Sequence, residues 1–433
     1  MDTTGRSRRG GQGKAIAAGF VLFLVALLAV WWWSSQQLPV VTVPKPTLPN
    51  PNAFNTYLEA AALQLESNKV GDAVSSVPSR SKGAHEYTWA EKEKLVAENA
   101  PVLKKLRQGL DQDYMSPPMR SFSALFPYFA QDRSMARLLS LESRVRAHRG
   151  DYGGAARSNT DAIELGAQIP HGSVLIGGLV GIACEAIGRR GLWEAGDHLD
   201  APQARATIQR LERVRHKHFP FYKTMQEEKW LGQAGLLEMM SKPNFAAGLG
   251  QATGSTMPTV ISGPIGNMFF LVYSKRRIMN DYTQYMDAEI ARAKLPYGST
   301  PPTIVPNDPI VQILTPVFDQ ARQKSEEGAA LNNLVETVLA LRVYRLEHGQ
   351  YPDSLSALVP SILPQVLDDP FASGAPLRYR RIGRTYVLYS IGPDGKDDHG
   401  TAIDTKDTRS GNPNARYQVQ ADSKGDIVAG TNR

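Results

Sequence analysis

The chain begins with an unbroken apolar run, Ala15 to Trp33, of nineteen positions without a charge. As a helix such a run covers about 28 Å, close to the thickness of a bilayer's hydrocarbon core. Arg6, Arg8, Arg9 and Lys14 precede it, and Trp31, Trp32 and Trp33 close it. That is the pattern of a positive-inside anchor ending in an aromatic belt. The expectation is an uncleaved transmembrane helix over 15–33, a basic cytoplasmic tail over 1–14, and residues 34–433 outside the cytoplasmic membrane. A cleaved signal peptide is the competing reading, but its apolar core is about 7–15 residues and ends in small residues. Phe245–Tyr273 is also apolar, yet Gly248, Gly250, Gly254, Pro258, Gly263 and Pro264 break it too often for a second span.

Beyond the anchor, prolines mark the divisions. Residues 34–51 carry Pro39, Pro44, Pro46, Pro49 and Pro51, which favour an extended polyproline stalk. A second Pro-rich stretch, 296–309, reads as a linker. Between them, 52–295 has helical periodicity. Thr88 and Glu91 form a capping-box pair, and Leu138, Leu139, Leu141 and Val145 line one helix face. After a turn at Gly150-Asp151-Tyr152, the positions Ala155, Ala156, Ala162, Ile163 and Leu165 line the next. Leu175–Gly188 is apolar enough to be a core helix, and Ala204–Val214, Tyr222–Met240 and Lys275–Ala293 continue the helical layer. The pattern changes within 310–433. A helix burying Leu331, Leu334, Val335, Leu339 and Val343 ends at Gly349, and two alternating segments, Leu377–Arg381 and Thr385–Ser390, read as a hairpin. The fold class expected is α+β multidomain: a transmembrane helix, a mostly helical middle, and a small α+β domain at the end.

Composition narrows the function. The net charge of the 433 residues is +7, and the tail holds four cations against Asp2, leaving +4 over the remainder. A nucleic-acid binder concentrates its positive charge on a folded face, so no nucleic-acid partner is expected. The single cysteine, Cys184, excludes an internal disulfide or a multi-cysteine zinc site and sits in the core helix as a small apolar residue. No H-E-x-x-H, P-loop or G-x-S-x-G occurs. Ser79-x-x-Lys82 lacks its usual partner motifs, and Glu227-Glu228 and Glu326-Glu327 are adjacent pairs that face different ways on a helix. No catalytic residue is singled out.

Two resemblances add to this. Residues 135–166 resemble a single tetratricopeptide-type helical hairpin, on the G-D-Y turn and the alanine spacing. Residues 329–428 resemble the globular domain of the major pseudopilin of type II secretion. The motifs are the helix ending Gly349-x-Tyr351-Pro352, Asp369-Pro370-Phe371, and Tyr389-Ser-Ile-Gly-Pro-Asp394-Gly395. That resemblance implies a calcium loop whose aspartates fall on Asp394 and Asp426. By composition the same loop adds Asp397 and Asp398, oxygen ligands of the kind calcium takes; it reads equally as a solvated acidic turn. The apolar segment lacks a pseudopilin's glutamate, and about 240 helical-domain residues intervene, so processing into a pilus subunit is not expected. The reading that follows is a non-enzymatic, membrane-anchored protein of the bacterial envelope that contacts other envelope proteins. An accessory component of a type II secretion or pilus-like system, and a hydrolase of envelope polymers, are the alternatives.

Overall fold

The computed structural model describes residues 9–74, 85–123, 126–241, 274–299, 301, 303–308, 311–312, 318–405 and 416–432. Among them twelve α-helices run in order: α1 (Arg9–Gln36), α2 (Ala53–Ala62), α3 (Ser67–Val74), α4 (Trp89–Glu98), α5 (Ala100–Leu110), α6 (Tyr128–His148), α7 (Tyr152–Gln168), α8 (Leu175–Gly196), α9 (Ala201–His216), α10 (Phe221–Ser241), α11 (Lys275–Ala293) and α12 (Phe318–His348). Strands β1 (Arg378–Ile382), β2 (Thr385–Ser390) and β3 (Ile427–Val428) form one antiparallel sheet in that order.

Local chemistry sets many of the helix ends. The Thr88 amide donates to Glu91 Oε2 at 2.7 Å and the Glu91 amide donates back to Thr88 Oγ1, starting α4. Asp200 and Gln203 repeat the device at α9. At the α6–α7 turn Gly150 takes φ +80°, and Asp151 caps α7 by accepting from the Gly154 amide at 2.8 Å. Gly349, at φ +76°, ends α12.

The helices pack around α7 and α8. A Cβ added to Gly181 would lie 2.5 Å from the Gly166 carbonyl oxygen, and one added to Gly166 would lie 2.5 Å from that of Gly181. Further along, a Cβ on Gly188 would meet the Asn159 carbonyl oxygen at 2.4 Å. The two backbones touch where only glycine leaves room. One apolar core lies on one side of this pair, built from α2 to α8 with Tyr57, Leu106, Leu138 and Leu165. A second combines Ile163 and Leu192 with Ile208, then Leu334 and Leu339 of α12, then Leu388 and Ile427 of the sheet. The parts on either side of the 296–309 stretch therefore share a core. α10 and α11 enclose a third around Met225, Tyr282 and Met286.

In the C-terminal part Asp369, fully buried, accepts from the Ser390 hydroxyl at 2.7 Å and from the amides of Ile391 and Phe371 at 2.8 and 3.0 Å. This one carboxylate ties the Asp369-Pro370-Phe371 turn to the end of β2.

The expected fold class needs correction. The chain is mostly helical, with strands of only five, six and two residues. The transmembrane helix expected over 15–33 is not upheld: among the described residues no helix is long and apolar enough to cross a membrane. α1 covers that run within a helix of 28 residues.

The glycine seam makes a paired prediction for chemical denaturation. Gly181→Ala forces the α7 and α8 backbones apart and should cost about 1–3 kcal/mol or more. Gly328→Ala, in α12, meets nothing nearer than the Ile182 side chain at 3.7 Å. It should be neutral or stabilise by up to about 1 kcal/mol through helix propensity.

Candidate functional site

Charges at helical spacing build the site. Arg157, Asp161 and Glu164 stand at i, i+4 and i+7 on α7. Arg210, Arg213 and Lys217 stand at i, i+3 and i+7 along α9 and its cap. Each set therefore forms one stripe. With Arg107 of α5 and Glu142 and Arg146 of α6, they form an alternating chain of acids and arginines. Asp151 receives Arg146 at 3.0 Å, and Arg146 reaches Glu142 at 3.0 Å. Glu142 also binds Arg107 and accepts the Ser158 hydroxyl at 2.8 Å. Arg107 Nε donates to Asp161 at 2.8 Å, Asp161 pairs with Arg210 at 2.5 Å, and Arg210 ends on Glu164 at 2.7 Å.

Asp161 and Glu142 are buried, so the arginines decide their state. Burial works against the charge of Glu142, but Arg107, Ser158 and Arg146 outweigh it and hold this carboxyl below the usual range. Burial likewise opposes the charge on Arg107 and Arg210, and the neighbouring carboxylates more than compensate. Removing one member of such a chain leaves a buried partner uncompensated.

The chain floors a cleft of about 610 Å³ between α5, α6, α7 and α9. Arg157, Arg213 and Lys217 stand exposed on its rim. None of the three has a carboxylate within ion-pairing distance among the described residues. Inside, Asp161 and Glu164 are paired with arginines and, among the described residues, Asp111 alone stands unpaired, while the three cations at the mouth have no carboxylate within ion-pairing distance. Such a site can form charge-assisted hydrogen bonds to an incoming anion. Sequence reading singled out none of these residues. The signal available was the pair of charge stripes on α7 and α9.

The acidic-loop residues lie elsewhere. Asp426 is fully buried and accepts from the amides of Asp398 at 3.3 Å and Gly400 at 2.7 Å; burial nevertheless leaves its carboxyl raised. Asp397 accepts the Tyr389 hydroxyl and the His399 amide, both at 2.9 Å. Asp394 accepts the Lys396 amide at 3.1 Å. Asp398 is exposed and joins Asp426 through its backbone. The structure thus brings Asp398 to Asp426 but spends the Asp426 and Asp397 oxygens on protein donors. Among the described residues no group of three or more His, Cys, Asp or Glu side chains could hold a metal ion. Ser79, Lys82, Asp407 and the Phe245–Tyr273 stretch lie outside the described residues.

Other sequence candidates separate. Glu227 pairs with Arg120 at 3.1 Å, whereas Glu228 accepts the Leu175 amide at 2.8 Å. Cys184 is buried, and its thiol is pushed well up by that burial. His148 stacks on Trp89 and His198 on Tyr152. Beside Cys184, Asp132 is buried with one oxygen unpartnered, and burial pushes its carboxyl up to about 7.

A raised folded-state pKa means that the Asp132 contribution to stability is complete below the unfolded value near 4 and is lost as pH rises through about 7. Asp132→Asn keeps the shape without the charge. In urea titrations between pH 5 and pH 8 the wild type should lose more stability than the variant, the difference reaching at most about 3 kcal/mol. Parallel pH curves would show that Asp132 is not the titrating group. No protein-family model, curated protein or solved structure matches the chain, so its functional reading rests on this geometry.

Proposed function

We propose that the protein is a non-enzymatic recognition or assembly protein whose helical part receives an acidic segment of a partner protein in the α5–α6–α7–α9 cleft. The observation that carries this reading is the division of charge. Glu142 and Asp161 are neutralised by Arg107, Arg146 and Arg210, while Arg157, Arg213 and Lys217 at the mouth have no carboxylate within ion-pairing distance and outnumber the one unpaired acid of the lining, Asp111.

The test is fluorescence anisotropy with a labelled hexaglutamate peptide and its glutamine counterpart on the full chain. The acidic peptide should bind, and the glutamine peptide should not. Raising salt from about 50 to about 500 mM should weaken binding, since exposed charges are screened. The double variant Arg157→Glu/Arg213→Glu should lose about tenfold or more in affinity with an unchanged melting temperature, because neither side chain has an ion-pair partner to lose. Equal binding of both peptides, or none, would count against the proposal.

A further inference from the structure

Resting on that reading, we infer that the partner segment is acidic and apolar together, with a large apolar side chain seated beside the acidic stretch. A groove of about 450 Å³ opens between α4, α5 and α6, floored by Leu103 and Val145 and flanked by Val96, Ala97 and Ala100. It adjoins the charged site. Arg107 lines both cavities, and its ion-pair partner Glu142 lines the groove, so the Arg107–Glu142 pair is their common wall.

Sequence explains why the groove is open. Ala97 and Ala100 are small and exposed on either side of the α4–α5 junction. The buried Asn99 holds that junction, donating to the Leu95 carbonyl and accepting from the Leu65 amide, both at 2.9 Å. The rim charge has the same sign as at the cleft. Glu93 is taken by Arg149 at 2.8 Å, which leaves Lys104 without a carboxylate among the described residues. Free cations therefore stand at both cavities, with apolar surface at one of them. Charge complementarity selects an acidic partner, and the apolar surface left by Val96, Ala97 and Ala100 selects a leucine-sized residue next to its acids.

Three labelled peptides of equal side-chain charge separate the outcomes: hexaglutamate, and hexaglutamate with a leucine at its amino or its carboxyl end. On the wild-type chain one leucine peptide should bind about tenfold more tightly than hexaglutamate, the scale expected for burying one such side chain. The double variant Ala97→Gln/Ala100→Gln fills the groove with uncharged side chains at exposed positions. It should abolish the leucine gain and leave hexaglutamate affinity unchanged, which also reports that the variant is folded. If hexaglutamate binds but leucine adds nothing, or the gain survives in the variant, the groove proposal is overturned and the cleft reading stands. If no peptide binds, both fail.

Discussion

The contact between α7 and α8 is the constraint on which the remaining helices depend. At Gly166 against Gly181, and at Gly188 against the Asn159 carbonyl, the backbones leave no room for a methyl group. Glycines at 177, 178, 181, 188, 191 and 196 make α8 a poor helix by propensity. What offsets that cost is the burial that close approach permits. α7 gives Ala162, Leu165 and Ile169 to one core and Ala156, Ile163 and Ala167 to another, so one seam holds two cores in place.

The seam also decides where the charges go. On α7, Asn159, Ala162 and Gly166 turn toward α8, as their near-contacts with Gly188, Gly191 and Gly181 show. Arg157, Asp161 and Glu164 lie on another stripe of the same helix, where the two acids meet Arg107 and Arg210 instead. The glycines cannot shift without moving that stripe. Asp161 bridges arginines from two helices, and buried charges of this kind tolerate little displacement because an unpaired ion is costly there. The apolar seam and the ionic chain thus brace opposite faces of α7, and the cleft mouth inherits its position from both.

How much of this the sequence reveals depends on the range of the interaction. Caps and turns are local, so the Thr88–Glu91 box, the Gly150-Asp151 turn, the end of α12 at Gly349 and the β1–β2 hairpin could all be read from neighbouring residues. The ionic chain was not legible in the same way. Arg107 and Asp161 are 54 positions apart, and the stripes say that charges share a face without saying what faces them. The closest approach between helices uses the α8 glycines, which read only as part of an apolar run. The acidic loop is hard to read for another reason. A run of aspartates signals oxygen ligands, but whether those oxygens are free depends on backbone amides such as those of Asp398 and Gly400, which composition does not place.

The joint between the helical and C-terminal parts shows how apolar and polar contacts divide the work. Leu331, Leu334, Val335 and Leu339 of α12 supply the burial against α8 and α9, but an apolar stripe alone accepts a shift along the helix. Asn332 removes that freedom. Its oxygen accepts from Arg189 Nη1 at 2.8 Å and its amide nitrogen donates to Glu185 Oε2 at 2.7 Å. Glu185 and Arg189 are one turn apart on α8 and both are buried. A one-turn slip of α12 would break both bonds and leave two buried ions without their amide partner, whereas the leucines would merely exchange neighbours. The register of α12 is therefore set by one amide between two ions. Through α12 the sheet is fixed to the same pair of helices that builds the cleft.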